Sequence, residues 1–220
     1  MAPKFGANHV LFKDRSEAGI LLADKLTAYC QKPVCIFGLA RGGVITAAGV
    51  SRVLNIPFDV LVVKKLPSPY SKEFAIGAVA PDAVSVIHWK DAQRAGSDEV
   101  SIQHAVQALS VSIKSDSMRL RKGKSPIQVA DKTVVLIDDG AATGATMEAA
   151  VLWAYKKRAR SVIVALPVAS NDVIARLKPE VDVVIVHTPV DHFESVGSYY
   201  QSFPQVSEAQ VVQLIEGGMI

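Results

Sequence analysis

The chain carries only two cysteines, Cys30 and Cys35, and they form neither a CxxC pair nor a metal-ligand spacing. A disulfide framework therefore does not organise this protein. Two small thiols flanking one apolar run read as core residues of a protein kept in a reducing cytoplasm. No apolar run approaches the ~20 residues of a membrane span. The N-terminus has no basic segment leading into an apolar run and cleavage site. An excess of one charge is missing as well: 24 Lys and Arg against 21 Asp and Glu leave +3, scattered along the chain, so nucleic acid is not an expected partner. One basic cluster, Arg119, Arg121, Lys122 and Lys124, is expected to be a solvated helix end, with attraction of a phosphorylated substrate as its alternative role. Repeats and low-complexity tracts are also lacking.

What remains is ordinary globular composition, half hydrophobic and one-fifth charged. At 220 residues it suits one domain around one core. Apolar residues recur with a helical period over 16–29, with Ser16 available as the cap. Residues 34–39 are a short apolar run of strand type, followed by Ala40-Arg41-Gly42-Gly43 and a helical stretch over 44–54. A second strand is expected over 58–63, ending in Lys64-Lys65. Between residues 66 and 131 the strand signals are weaker (75–79 and 83–88) and one polar helix spans roughly 98–121. This stretch reads as a flap or hood inserted into the sheet fold. Strands resume at 133–137, 161–166 and 181–186, with helices near 145–157 and 171–177.

Strands that are apolar at nearly every position, alternating with helices, indicate an α/β fold with a mostly parallel sheet covered on both faces. Ligands of such sheets bind beyond the carboxyl ends of the strands. That rule selects four loops: 40–43, 64–73, 138–146 and 187–200.

The third loop carries the most chemistry. Asp138 and Asp139 leave an apolar strand, and Gly140, Ala141, Ala142, Thr143, Gly144, Ala145 and Thr146 lead into a helix. Small residues let successive backbone N–H groups converge, and the helix N-terminus adds positive potential, which makes a cradle for an anion. The threonine hydroxyls add donors. A phosphate does not settle against bare carboxylates: at about 4 Å and an effective dielectric of about 20, each like-charge contact costs about 4 kcal/mol. The acids must instead face sugar hydroxyls or a cation. A ribose phosphate satisfies both halves of the loop.

This segment resembles the phosphoribosyl pyrophosphate motif of type I phosphoribosyltransferases: four apolar residues, two acids, a short spacer, then Thr-Gly and another Thr. In that family the acids hold the ribose 2- and 3-hydroxyls and the Thr-Gly-x-Thr stretch wraps the 5-phosphate. Ala40-Arg41-Gly42-Gly43 resembles the family's pyrophosphate loop. Phe12-Lys-Asp14-Arg15, Glu17-Ala18-Gly19 and Glu73-Phe-Ala-Ile-Gly77-Ala78-Val79 resemble its small bacterial members.

The resemblance implies transfer of ribose 5-phosphate from phosphoribosyl pyrophosphate to a nitrogenous acceptor, as in nucleotide salvage. Asp138 and Asp139 are its catalytic acids and hold Mg²⁺ directly or through water; Arg41, Gly42, Lys64 and Lys65 face the pyrophosphate. A homodimer is an assembly the resemblance allows. Hypoxanthine- and guanine-using members carry an acid where this chain has Ala142, which argues against their base chemistry. Glu73 is the one candidate general base. Phe193 either stacks on a base or packs the C-terminal segment with Tyr199 and Tyr200. His187 and His192 stand at no metal spacing and read as ordinary residues. A regulatory protein that only binds phosphoribosyl pyrophosphate, and a hydrolase of phosphoribosyl substrates, are the competing functions. A dinucleotide dehydrogenase is disfavoured, because the first turn lacks the G-x-G-x-x-G spacing.

Overall fold

The computed structural model describes residues 10–29, 33–68 and 71–218, without the side chains of 71–74 and 218. Cys30 and the side chain of Glu73 lie outside that description. Among the described residues no helix is long and apolar enough to cross a membrane.

Five parallel strands form the central sheet: β1 (Val34–Leu39), β2 (Phe58–Leu61), β6 (Thr133–Ile137), β7 (Ser161–Ser170) and β8 (Val183–Val190), in the order β2-β1-β6-β7-β8. Every residue of β1, β2 and β6 is buried, as expected where helices cover both faces. Side chains alternate between two cores. Ile36, Val135 and Ile137 face a cluster shared with α1 (Arg15–Leu26), α2 (Gly42–Leu54) and α7 (Glu208–Gly218). Phe37, Val134 and Leu136 face α5 (Ala145–Lys156) and α6 (Asn171–Leu177). Cys35 lies in this second cluster, where burial pushes its thiol up to about 11 and leaves it a core residue.

The stretch expected as a hood contains a three-stranded antiparallel sheet, β3 (Lys64–Ser68), β4 (Ser71–Val79) and β5 (Ser85–Ile87), followed by α3 (Trp89–Arg94) and α4 (Glu99–Leu120). Leu66, Ile76 and Val79 join the first core, whereas Ala78 and Val84 join the second. The insert is therefore seated on both halves of the main core.

Several boundaries differ from the sequence reading. α1 is capped by Asp14, whose carboxylate accepts the Glu17 N–H at 2.9 Å, so Ser16 lies inside the helix. β3 starts at Lys64, placing Lys64 and Lys65 in a strand and not in a loop. β5 begins later than residue 83, because Asp82 and Ala83 adopt positive φ in a tight turn. β7 and β8 each run four residues past their expected ends. α7 was not anticipated, and it engages the basic cluster: Arg119 pairs with Glu208 at 2.8 Å and Lys122 with Glu216 at 2.8 Å.

Arg121 departs furthest from a solvated helix end. It is buried and grips both oxygens of Asp59, a fully buried residue of the sheet-edge strand β2, at 2.8 and 2.9 Å. It also donates to the Val60 carbonyl, while Ile127 N–H donates to Asp59 at 3.1 Å. This network fastens the end of α4 over an otherwise open strand edge. Asp59→Asn strands the Arg121 charge, and urea unfolding is expected to show a loss of about 3–5 kcal/mol.

Candidate active site

The chain leaves β1 toward β2 on one side and later returns to place β6 on the other. This reversal of strand order opens a crevice at the carboxyl ends of β1 and β6, where ligands of open α/β sheets bind. Two of the four selected loops, 40–43 and 138–146, meet there. Gly42 and Gly43 allow the contact: a Cβ on Gly42 would collide with Asp139 Oδ2, and one on Gly43 would sit 2.9 Å from Asp138 Oδ1. The Ala40–Arg41 peptide entering this turn is cis.

Both helices that begin at the crevice lack a side-chain cap. α2 starts from Arg41 and α5 from Gly144, without a capping hydrogen bond from either residue. Of the other helices, α1, α4 and α6 are capped by Asp14, Asp98 and Ser170, while the short α3 also lacks a side-chain cap. A helix leaves its first-turn N–H groups without intrahelical partners. At α5 these belong to Ala145, Thr146 and Met147, so two sets of donors and two positive helix ends point at one crevice. Gly144 has φ +78°, a left-handed conformation that glycine adopts without strain and that turns the chain into α5. Ala142 and Thr143 are exposed, whereas Ala141 N–H is spent on the Val168 carbonyl at 3.1 Å. The Thr143 carbonyl accepts from Arg176.

The two acids are not equivalent. Asp139 Oδ2 receives Arg15 Nε at 2.6 Å, and Arg15 is only 7% exposed. The Arg15 guanidinium also lies 3.5 Å over the Phe203 ring and donates to the Pro204 carbonyl at 2.8 Å. Tyr200 donates its hydroxyl to the Asp139 carbonyl at 2.6 Å, and burial drives its phenol far above the usual range. Asp138 has no ion-pair partner among the described residues. Its Oδ1 accepts the Asp139 N–H at 2.9 Å. Desolvation, then the neighbouring Asp139 charge, pushes its carboxyl well above the ordinary value.

Other expected residues lie further from this centre. Arg41 is exposed at the crevice mouth. Lys64 is held by Asp116 and Ser112 of α4, each at 2.6 Å, and Lys65 is exposed on β3. Phe193 packs tilted against Tyr199 with centroids 5.3 Å apart. His187 contacts the edge of Phe12 and bonds Thr188 at 3.0 Å, a packing role; His192 is exposed. Sequence reasoning did not assign Arg15, Tyr200 or Phe203 to the site. The Asp14-Arg15 segment was noticed only as a resemblance. Two clefts of about 890 and 680 Å³ lie elsewhere, one lined by α2 and α7, the other by α3, α5 and α6. Strand topology and chemistry, not cleft size, locate the site.

A parallel five-stranded sheet with an acid pair and two uncapped helix ends at its switch point defines the type I phosphoribosyltransferase fold. The chain belongs to the phosphoribosyl transferase domain family, whose match covers residues 16–202. Two Mycobacterium tuberculosis proteins, from strains CDC 1551 and H37Rv, each named "Putative phosphoribosyl transferase", are 34% identical to it over 206 residues, 94% of this chain. It spans about half the length of these curated relatives, 46% of each. The crystal structure of TT1426 from Thermus thermophilus is 33% identical, with a TM-score of 0.81 over 95% of this chain and 99% of that one. A Neisseria gonorrhoeae protein solved with bound ppGpp, at 16% identity and TM-score 0.52 over 97% of this chain and 99% of that one, shares the fold alone.

Because a methyl on Gly42 must displace the Asp139 carboxylate or the Arg15 side chain, Gly42→Ala is expected to cost about 1–3 kcal/mol in denaturant unfolding.

Proposed function

We propose that this protein is a Mg²⁺-dependent phosphoribosyltransferase that moves ribose 5-phosphate from phosphoribosyl pyrophosphate to a nitrogenous acceptor and releases pyrophosphate. The observation that carries the reading is the meeting of two uncapped helix N-termini on one carboxylate pair. Phosphate at each end of a ligand and a diol in its middle suit that arrangement. The N–H groups of 142–147, with the Thr143 and Thr146 hydroxyls, take the 5-phosphate. The N–H groups of the 41–43 turn and the Arg41 side chain take the pyrophosphate. The acid pair faces the ribose hydroxyls between them.

Among the described residues no three acids, histidines or cysteines cluster as a metal cage. Mg²⁺ characteristically uses one or two carboxylates, waters and substrate phosphates, and a pair with one uncompensated acid fits that donor set. Asp138, with Asp139 beside it, would hold the ion. When bound, Mg²⁺ neutralises charge building on the departing pyrophosphate. The C1–O bond to pyrophosphate breaks with its electron pair leaving on oxygen, and a nitrogen lone pair forms the new bond to C1. Helix-end N–H groups stabilise the leaving anion without reorganising.

The loop after β8, where Phe193 packs tilted against Tyr199 with centroids 5.3 Å apart, is the side from which this reading brings the acceptor. Ala142 offers no carboxylate to a base, so the acceptor is held by other contacts. Salvage of a nucleobase or related amine in the cytoplasm is the process this reading implies, and homodimerisation belongs to the same proposal.

Titration calorimetry with phosphoribosyl pyrophosphate and Mg²⁺ tests the binding half. Pyrophosphate release across a panel of purines, pyrimidines and amines tests the transfer. Absence of binding overturns the proposal. Binding without release for any acceptor supports a regulatory role, and release without acceptor supports a hydrolase.

The raised Asp138 carboxyl also gives a pH signature. A carboxyl whose folded value lies above its unfolded value destabilises the fold; this cost is absent below the unfolded value, grows as pH rises from there, and is complete above the folded value. Asp138→Asn is therefore expected to raise the thermal midpoint near neutral pH by about 2–4 °C. The same change lowers affinity for phosphoribosyl pyrophosphate, and differential scanning calorimetry beside binding isotherms checks both.

A further inference from the structure

The cleft of about 680 Å³ between α3, α5 and α6 lies outside the crevice of the acid pair, and its size suits a small ligand. Two large aromatic side chains stand in its walls with much of their surface open to water: Trp89 is 50% exposed and Tyr155 39%. The Tyr155 hydroxyl is spent on Asp182 at 2.9 Å, so this residue offers the cleft a ring. Val151 and Leu152 of α5 add apolar lining. A planar ring is the shape such walls receive.

The polar groups of the cleft are unevenly engaged. Glu148 is taken by His88 Nε2 at 2.7 Å and approached by Arg176 Nη1 at 3.8 Å. Lys90 has no ion-pair partner among the described residues, and the exposed Arg94 reaches Asp91 only at 3.8 Å, beyond hydrogen-bonding distance. Unspent N–H donors of Lys90, Arg94 and Arg176 therefore share the cleft with the two rings. Glu180, just past α6, brings a carboxylate that likewise lacks an ion-pair partner among the described residues. Rings, cations and one free carboxylate describe a ligand that is planar, carries N–H groups and bears an anion. A nucleotide has all three.

We propose that this cleft is a second binding site, for a nucleoside 5′-phosphate whose base packs on Trp89 and Tyr155 and whose phosphate is held by Lys90, Arg94 and Arg176. Arg176 also donates to the Thr143 carbonyl of the 138–146 loop, and Glu148 stands in the first turn of α5, the helix which that loop enters. The occupant thus takes hold of a side chain that steadies the loop. A phosphate that draws Arg176 from Thr143 loosens the loop and lowers affinity in the crevice. The site itself is independent of the proposed transfer reaction; the coupling to the crevice rests on that reading.

Tryptophan emission gives a direct readout, because the chain has two tryptophans and the other, Trp153, is buried edge-on against Phe37. Adenosine and uridine 5′-monophosphates titrated into the wild-type protein are expected to quench Trp89 to saturation, and Trp89→Leu to lose the change. Lys90→Ser/Arg94→Ser alters two exposed side chains, with the thermal midpoint as its control, and is expected to bind the nucleotides about tenfold more weakly. No saturable quench, a quench retained in Trp89→Leu, or an undiminished affinity in Lys90→Ser/Arg94→Ser overturns the site. Adenosine that binds as tightly as its phosphate, or inorganic phosphate that binds as tightly as the nucleotide, overturns it too.

Calorimetric titration of phosphoribosyl pyrophosphate with Mg²⁺, repeated at saturating nucleotide, reads the coupling. Affinity is expected to fall about fivefold in the wild type and to stay unchanged in Arg176→Met, each compared with its own titration without nucleotide. A fall that persists in Arg176→Met is competition inside the crevice and overturns the coupling, as does the absence of any fall in the wild type. Wild-type protein that quenches with nucleotide yet binds no phosphoribosyl pyrophosphate defeats the functional reading, and the coupling with it, while the second site stands.

Discussion

A parallel sheet cannot place two adjacent strands side by side in sequence without a crossover on one face, and reversing direction within the sheet leaves a gap between crossovers. Here the gap falls between β1 and β6. Both strands are buried on every residue, so their ends cannot drift, and each releases its chain into a helix whose N-terminus has no side-chain cap. Donor groups, positive helix ends and the acid pair are thereby brought within contact of one another by backbone alone. Gly42 and Gly43 are the condition for that closeness: any side chain there would force the two loops apart.

Charge then distinguishes residues that topology treats alike. Asp138 and Asp139 leave the same strand, yet Asp139 pairs directly with Arg15, whereas Asp138 has no ion pair among the described residues and desolvation outweighs the more distant Arg15 charge. The fold tolerates this cost because the rest of the molecule is well satisfied. Asp59 and Arg121, buried where Asp138 is half-buried, share two hydrogen bonds and a surrounding set of backbone partners. The buried acid stabilises a sheet edge, while the half-buried one is left in the condition a cation or a diol would relieve.

Much of this was legible in the sequence, and the misses have physical causes. Apolar runs mark β1 and β6 because burial on both faces removes polar residues from them, and the loops that follow announce themselves through small residues and paired acids. Lys64 read as a loop residue because its partner, Asp116, lies on a helix far along the chain. The cap of α1 was misplaced by two residues, since Asp14 and Ser16 are both competent caps. Choosing Asp14 puts Arg15 in the first turn, where it can reach Asp139. α7 had a signal in Val211 and Ile215, four residues apart and both buried, but a short amphipathic stretch declares no partner until the sheet exists. The Arg15 contacts with Asp139 and Phe203 were the least legible feature, because Arg15 and Asp139 lie 124 residues apart in sequence.

That last feature bears on how the protein comes into being. As the chain emerges from the ribosome, the sheet as far as β8 can assemble before residues 199–204 are available, yet Asp139 still lacks Tyr200 and the Phe203 platform that steadies Arg15. The surroundings of the 138–146 loop are thus completed after the sheet, although its own residues are made well before. Without residues 199–204 the loop after β6 keeps its strand but lacks the Tyr200 and Phe203 contacts that hold Asp139 and Arg15 in place.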